Sequence, residues 1–257
     1  MRLANKSIVI TGATGIAAAG ARRASIEGAR IFVISLDDDD CRRLASEIEA
    51  DGGEVSYAVA DLTVEAEAVS AFDRAVGLLG GIDGIFAVAG ASGRRFGDGP
   101  AHEATLSAWA KTLEINTFPM FLATRLAIEH MRDRGGSVVV ISSVLAESPS
   151  PRLFATHAYA AAKGAANSFV RATASRYASE GIRVNAIAPG LVHTPMSERA
   201  AADTETVEYA KRKQPLAGGF LEPAPVADAA VFLLSDESSQ ITGQVIDVDG
   251  GWSVTEA

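Results

Sequence analysis

The chain has 257 residues, of which 48% are hydrophobic and 21% are charged, a composition typical of a globular protein with a large buried core. Its net charge of −9 argues against a nucleic acid or an anionic membrane surface as the main partner, because both bind clustered Lys and Arg. The single cysteine, Cys41, excludes an internal disulfide and a thiolate metal site.

The N-terminal segment enters an apolar run at Ser7–Ile10 almost at once, with no long apolar region ahead of a cleavage site. No apolar run approaches the roughly 20 residues needed to span a bilayer. We therefore expect a cytoplasmic protein that binds neither a membrane nor a metal.

Seven short runs rich in β-branched residues alternate with longer segments of helical spacing. The runs are Ile8–Ile10, Ile31–Ile34, Val55–Val59, Ile85–Val88, Val138–Ile141, Val184–Ile187 and Val245–Val248. The helical segments are 15–28, 39–51, 64–79, 103–133, 156–180 and 224–234, with a further stretch near 196–213. Because most runs are continuously apolar, they indicate parallel strands covered on both faces. The pattern predicts an α/β fold with a doubly wound, seven-stranded parallel sheet of the Rossmann type, in a single domain covering residues 1–257.

A glycine-containing loop follows the first strand and leads into the first helix. Gly12 and Gly15 let the backbone turn sharply. The helix starts around Thr14 and Ile16, where free N–H groups attract a pyrophosphate. The loop therefore predicts a dinucleotide site. Gly20, inside the same helix, lowers helix stability by roughly 1 kcal/mol relative to Ala.

The end of the second strand bears on the choice between NAD and NADP. An acid there usually accepts hydrogen bonds from the adenosine ribose and repels a 2′-phosphate, but this chain has Ser35 and Leu36. Ser35 leaves room for NADP, whereas the acidic run Asp37–Asp40, interpreted as a solvated helix start, places negative charge nearby. We expect NAD(P), with NAD slightly preferred. Arg42 or Arg43 would reverse this preference if its side chain reached back to the adenosine ribose.

Tyr159 and Lys163 lie four residues apart in a helical segment, so both side chains project from one face. Lowering the pKa of a tyrosine by about three units requires roughly 4 kcal/mol of preferential stabilisation of the phenolate. A neighbouring ammonium group and the positive charge of an oxidised nicotinamide could supply it. Upstream, Ser143 follows the fifth strand at the sheet edge where a substrate is expected, and its hydroxyl can donate to a carbonyl oxygen.

Asn116 lies inside the predicted helix that follows the fourth strand, where Asn is unfavourable. Pro119 should distort the helical hydrogen bonds just beyond it. A bent helix could then hold a water molecule next to Lys163. The alternative is an exposed Asn beside a kink, with no role.

In their order along the chain, these motifs resemble those of the short-chain dehydrogenase/reductase family. Further matching positions are Asp61, Leu62, Ala89, Gly90, Pro189, Gly190, Val192 and Thr194. The resemblance implies that Asp61 and Leu62 flank the adenine. It implies that the small residues Ala89 and Gly90 let the backbone approach the cofactor, and that the segment from Pro189 to Thr194 fixes the nicotinamide carboxamide.

The resemblance also implies the chemistry, a hydride transfer between nicotinamide and a carbonyl or secondary alcohol. Tyr159 would be the general acid and base and, with Lys163, would contact the cofactor. Lys163 would hold the ribose hydroxyls and lower the pKa of the tyrosine, while Ser143 would orient the substrate oxygen. Asn116 would hold a water molecule of the proton relay.

Two segments depart from the family pattern. The glycine loop is one residue shorter, with Ala17 where a third glycine is usual. The fourth strand ends in Ala87-Val88-Ala89-Gly90, where family members usually have Asn-Asn-Ala-Gly. These departures are the support for one alternative, a nucleotide-sensing protein without chemistry. A sugar-nucleotide epimerase is less favoured, because too few residues follow Pro195 to form its substrate domain.

The expected partners are a small carbonyl or alcohol substrate and a second copy of this chain. The family mostly forms homodimers and homotetramers through the helices bearing Asn116 and Tyr159 and through the C-terminal strand. Arg94 and Arg95 either bind an anionic group of the substrate or lie on the surface of a loop. His157 is similarly open between lining the pocket and lying at the surface.

Overall fold

The computed structural model describes residues 1–256, and its seven strands form one parallel sheet. The strands are β1 (Ser7–Thr11), β2 (Arg30–Ser35), β3 (Glu54–Val59), β4 (Gly84–Ala87), β5 (Gly136–Ile141), β6 (Ile182–Pro189) and β7 (Val245–Val248). Their order across the sheet is β3-β2-β1-β4-β5-β6-β7, and every pairing is parallel. The predicted doubly wound, seven-stranded sheet is therefore confirmed.

Helices cover both faces of this sheet. They are α1 (Gly15–Ile26), α2 (Asp38–Ala50), α3 (Glu65–Leu79), α4 (Leu106–Met131), α5 (His157–Tyr177), α6 (Glu198–Ala201), α7 (Thr204–Lys213) and α8 (Pro223–Leu234). Among residues 1–256, no helix has both the length and the apolar composition needed to cross a lipid bilayer.

Two apolar cores separate the sheet from its helices. On one face, Val9 and its neighbours pack against α3, α4 and α5. On the other face, Ile8 and Ile10 pack against α1, α2 and α8. Consecutive residues of one strand thus enter different cores, which is why the strands are apolar throughout and do not alternate with polar residues.

The helix boundaries differ from the predicted ones where a local cap decides them. The fourth predicted helix begins at Leu106 because the Thr105 hydroxyl accepts a hydrogen bond from the Ala108 N–H at 3.1 Å. The stretch near 196–213 divides into α6 and α7, and Asp203 caps the second of them by accepting from the Thr206 N–H. The acidic run does form a helix start, since the Asp37 carboxylate accepts from the Asp40 N–H.

Packing against β4 explains why position 20, inside α1, is a glycine. A Cβ atom at this position would lie 2.6 Å from the ring of Phe86, a fully buried residue of β4. We predict that Gly20→Ala lowers the free energy of unfolding by about 1–3 kcal/mol, because overpacking outweighs the gain in helix propensity. Urea denaturation measures the change.

The matched control is Gly77→Ala in the last turn of α3, where an added Cβ would meet no atom within 4 Å. This variant should gain about 0.5–1 kcal/mol, since alanine restricts the unfolded chain. Equal effects of the two substitutions would mean that the Phe86 contact does not select glycine.

Candidate active site

A cavity of about 1030 Å³ opens at the carboxyl ends of β1, β4, β5 and β6. Ligands of open parallel sheets bind at this edge. Fourteen of the predicted site residues line it: Gly12, Thr14, Gly15, Ile16, Ala89, Gly90, Asn116, Ser143, Tyr159, Lys163, Pro189, Gly190, Val192 and Thr194. Residues that are far apart in the sequence are therefore brought to one chamber by the ends of four strands.

The glycine loop forms a cradle at the start of α1. Gly12 and Gly15 have φ angles of +101° and +52°, which disfavour any residue with a side chain. No side chain caps this helix, so its first N–H groups are free to bind an anion. The shortened loop brings Gly15 against Thr194, and a Cβ on Gly15 would lie 2.8 Å from the Thr194 methyl group. The residues present thus fit the diphosphate of a dinucleotide.

Thr11 satisfies the first two backbone N–H groups after β4. Its hydroxyl accepts hydrogen bonds from the Val88 N–H at 2.9 Å and the Ala89 N–H at 3.0 Å. These bonds join the end of β1 to the segment after β4. The missing asparagines therefore leave no unsatisfied N–H groups at these two positions.

Asn116, on α4, lines the cavity, and its side chain has one acceptor atom without a donor among the described residues. Its amide group donates to the carbonyls of Ala91 and Thr112, each at 2.9 Å. Its Oδ1 atom is buried and has no hydrogen-bond partner among residues 1–256. A Cβ on Gly90 would lie 2.7 Å from this Oδ1, so glycine is required there. A buried carbonyl oxygen without a donor indicates a place for a ligand hydroxyl or a water molecule.

Pro119 has a smaller effect on α4 than the sequence suggests. The helix continues through the proline from Leu106 to Met131. The proline nitrogen carries no hydrogen, so the Ile115 carbonyl loses its usual helical donor. The alternative of an exposed Asn without a role does not hold, because Asn116 is buried.

Lys163 is buried and lies beside Tyr159 on α5. Its ammonium group donates to the Ile141 carbonyl at 2.9 Å, at the end of β5, and lies 5.6 Å from the centre of the Tyr159 ring. Burial lowers the pKa of Lys163 to about 8, because no carboxylate accompanies the charge. The ammonium therefore titrates close to neutral pH.

Burial raises the pKa of Tyr159 to about 12, and a hydrogen bond with the Ser143 side chain opposes this rise. Without a bound cofactor, the Tyr159 phenol is therefore neutral. A positive charge entering the chamber would favour the phenolate and lower this pKa. The pair is arranged so that the acidity of the tyrosine depends on what occupies the cavity.

The two serines after β5 have different surroundings. The Ser142 hydroxyl lies 2.6 Å from Asn167 Oδ1 and 3.2 Å from the Lys163 carbonyl, so it ties β5 to α5. The Ser143 oxygen accepts from the Leu145 N–H at 3.2 Å, which leaves its own hydrogen free to donate. Ser143 is therefore the serine able to bind a substrate oxygen.

Asp98 holds the start of α5, and the sequence gives no sign of it. Its two carboxylate oxygens accept from the N–H groups of Ala158 and Tyr159, each at 3.0 Å. The carboxylate is buried and stands 60 residues before its first partner, in the loop after β4. No local spacing could reveal such a cap, because the tertiary fold alone brings the two loops together.

We predict that Asp98→Ala lowers the free energy of unfolding by about 1–3 kcal/mol, since two buried N–H groups lose their acceptor. Asp98→Asn retains one acceptor oxygen and should be milder. Both variants should lower kcat at a temperature where they remain folded, because the Tyr159 backbone is no longer fixed. A fall in stability with unchanged kcat would show that Asp98 has no positioning role.

Four predicted cofactor residues lie outside the cavity wall. The Asp61 carboxylate accepts from the N–H and hydroxyl of Thr63, and Leu62 is buried in a core. Leu36 is 69% exposed, and the Ser35 side chain hydrogen-bonds to the Cys41 thiol. Ser35 ends β2, Leu36 follows it, and Asp61 and Leu62 follow β3, so all four lie at the carboxyl edge of the sheet but outside the cavity.

The two arginines of α2 are already paired with acids of their own helix. Arg42 forms ion pairs with Asp38 and Asp39, and Arg43 pairs with Asp40 at 2.7 Å. Arg43 also lines a smaller cavity, of about 380 Å³, beside the glycine loop.

The sequence leaves the placement of Arg94, Arg95 and His157 open, and the structure decides it. Arg94 and Arg95 line the cavity and are also exposed to solvent. His157 is exposed, and its Nδ1 atom accepts from the Ala101 N–H at 3.0 Å. Among residues 1–256, no cluster of three or more His, Cys, Asp or Glu is arranged to hold a metal ion.

Comparison with known proteins places this arrangement among oxidoreductases. The family model described as Enoyl-(Acyl carrier protein) reductase matches residues 11–253. The chain is 33% identical over 255 residues to 2,5-dichloro-2,5-cyclohexadiene-1,4-diol dehydrogenase of Sphingobium indicum, with 98% of each chain covered. It is 36% identical over 256 residues to 2-(S)-hydroxypropyl-CoM dehydrogenase 3 of Xanthobacter autotrophicus, with 97% of each covered.

A solved structure extends the similarity to three dimensions. The short-chain type dehydrogenase/reductase of Mycobacterium ulcerans superposes with a TM-score of 0.92 at 30% identity. The match covers 100% of this chain and 93% of that one. Both the sequence and the fold are therefore shared along the whole chain.

Proposed function

Because this chain belongs to the short-chain dehydrogenase/reductase family and is an oxidoreductase, we propose that it interconverts a secondary alcohol and a carbonyl compound with Tyr159 as general acid and base. The observation that carries the proposal is the meeting of Tyr159, Lys163, Ser143 and Asn116 around one chamber. The glycine cradle that fits a dinucleotide lines the same chamber.

The proposed mechanism assigns one task to each side chain. When bound, the nicotinamide would supply or accept the hydride. In the reductive direction the Tyr159 phenol gives its proton to the carbonyl oxygen, and in the oxidative direction the phenolate takes it from the alcohol. Ser143 donates to the same oxygen and orients it. Lys163, while protonated, stabilises the phenolate, and the free Oδ1 of Asn116 accepts from a water molecule that returns the proton.

The residues of the glycine cradle and the Pro189–Thr194 segment would hold the cofactor, and we propose NAD(P) with NAD preferred. The ion pairs of Arg42 and Arg43 with aspartates support this preference, because their charges are already compensated. The acidic start of α2 would repel a 2′-phosphate. Ser35 does not by itself exclude one.

We also propose that the protein forms a homodimer or homotetramer through α4 and α5. Phe118 and Phe121 on α4 are 50% and 45% exposed. The ring of Phe121 contacts that of Phe169 on α5, with 6.2 Å between centroids. Exposed neighbouring aromatic side chains on two long helices are typical of a surface covered by a partner.

A screen of ketones and secondary alcohols against NAD(H) and NADP(H) tests the proposed function. The absorbance of the reduced nicotinamide follows turnover, and calorimetry follows cofactor binding separately. We expect turnover of some members with faster rates for NAD(H). Cofactor binding without consumption across the whole panel would contradict the proposal and favour a nucleotide-sensing protein.

A further inference from the structure

Positive charge is concentrated at the cavity of a chain whose net charge is −9. Arg94 and Arg95 come from the loop after β4, and Arg199 comes from α6. With Lys163 they are the basic residues of the cavity wall, while Asp98 is its one carboxylate. Both oxygens of Asp98 accept from the N–H groups at the start of α5, and the carboxylate keeps its charge, which favours the charged form of Arg94 without a direct ion pair.

The three guanidinium groups carry charges that no acid compensates at close range. Within residues 1–256, no carboxylate oxygen lies within 4.0 Å of Arg94, Arg95 or Arg199. Asp203 is near enough to Arg199 for the two charges to attract each other, although they form no direct ion pair, and its carboxylate accepts hydrogen bonds from Thr206. Many other arginines of this chain, such as Arg42 and Arg43, are paired.

Arg94 and Arg199 line the same chamber. Partial burial lowers the pKa of the Arg94 guanidinium, the like charge of Arg199 lowers it further, and the negative charge of Asp98 opposes this fall. Two cations placed together in this way repel each other, and an anion between them would remove the repulsion. Arg94 is held in place because it donates to the Leu153 carbonyl at 2.7 Å, which leaves its other N–H groups available.

The rest of this wall is mainly apolar. Val144, Leu145, Phe154 and Met196 contribute to it between the arginines and Tyr159 or Ser143. Arg95 differs from the other two arginines because its guanidinium lies over the Phe96 ring, 4.6 Å from the centroid. The chamber therefore combines an apolar lining with a pair of guanidinium groups that can bind a planar or tetrahedral anion through several N–H groups.

We propose that Arg94 and Arg199 bind an anionic oxyacid group of the substrate, so that the substrate is a hydroxy or oxo compound with an apolar body and a carboxylate or sulfonate. This proposal rests on the proposed function, because it names the substrate class of the same site. It assigns the two arginines to substrate binding and leaves proton transfer to Tyr159.

Matched ligands that differ only in charge test the proposal. Calorimetry on the full-length protein, saturated with NAD⁺, would compare 4-oxocyclohexanecarboxylate, the corresponding sulfonate and the neutral carboxamide. The ketone and the oxidised cofactor cannot react with each other, so binding is measured without turnover. A parallel series of open-chain oxo acids and their amides covers other shapes. We expect at least one anion to bind about tenfold or more tightly than its amide.

The variants Arg94→Gln and Arg199→Gln should each reduce this anion-to-amide preference by about tenfold, since glutamine can still donate hydrogen bonds but carries no charge. Arg74→Ala, which removes an exposed arginine from α3, is the control and should not change the preference. Raising the salt concentration should weaken binding of the anion more than binding of the amide.

Equal affinity for anions and amides, preference for the amides, or failure of every anion to bind would overturn this proposal. A preference that persists in both Gln variants would also overturn it. The proposed function is judged separately: turnover of neutral alcohols without any charge preference would leave it intact. If the protein binds anions through Arg94 but shows no turnover, the anion-binding proposal stands and the proposed function is refuted.

Discussion

Tyr159→Phe is expected to lower kcat by about a hundredfold to ten-thousandfold, the range that general acid and base catalysis contributes. The substitution removes only the phenol oxygen, so the ring still fills its place between Ser143 and Lys163. The rate of reduced cofactor consumption measures the effect.

Two further measurements separate catalysis from folding in this variant. The affinity for the cofactor, measured by calorimetry, should change little, because the cradle of Gly12 and Gly15 is untouched. Tyr177→Phe, at the last residue of the same helix, is the matched control and should turn over normally. Turnover of Tyr159→Phe near the wild-type rate would refute the assignment of the general acid.

Lys163→Met is expected to lower kcat about a hundredfold or more, because the phenolate loses the one cation that this chain places beside it. Methionine has nearly the length of lysine and suits a buried site, so the fold should persist. The rate should also lose the pH dependence contributed by the ammonium group. In the absence of a bound ligand the pKa of Lys163 lies near 8, well below its value in an unfolded chain.

The lowered pKa of Lys163 also predicts how the free energy of unfolding depends on pH. Between the folded pKa of about 8 and the unfolded value of 10.5, the unfolded chain binds more protons, so the wild type gains stability as pH rises through this window. Below pH 8 this gain is absent. Lys163→Met lacks the titrating group and should not show the gain, which is on the order of 3 kcal/mol across the window.

Urea denaturation of both proteins below pH 8 and again just below pH 10 measures the difference. Tyr159, with a pKa near 12, acts in the opposite direction only above its unfolded value of 10, so the comparison is made below pH 10. Lys111→Met, which removes a surface lysine paired with Glu114, is the control. The same pH dependence in wild type and Lys163→Met would show that the ammonium is not held in a desolvated site.

The sheet could be predicted from the sequence because each strand is buried on both faces, and such strands are apolar without interruption. The pairing of Tyr159 and Lys163 could be predicted because four residues in a helix make one turn. The glycine loop was recognisable by its place after β1. Its contact with Thr194 was not, since β6 and the turn after it lie far along the chain.

Other parts of the site had no signal in the sequence. Asp98 acts on N–H groups 60 residues away, and Arg199 of α6 lines the same cavity as Arg94 although the two are far apart in the chain. Thr11 accepts from two backbone N–H groups of the segment after β4. Such contacts depend on tertiary placement, which neither spacing nor periodicity encodes.

The most direct test of the account follows the hydrogen that is transferred. The protein is incubated with reduced NAD carrying deuterium at both C4 positions and with the ketones of the panel, and the alcohols formed are examined by mass spectrometry. We predict alcohols with one deuterium at the carbinol carbon, formed by the wild type and at a rate at least about a hundredfold lower by Tyr159→Phe. Bound cofactor with no deuterium in any product, or equal transfer by both proteins, would contradict the central claim.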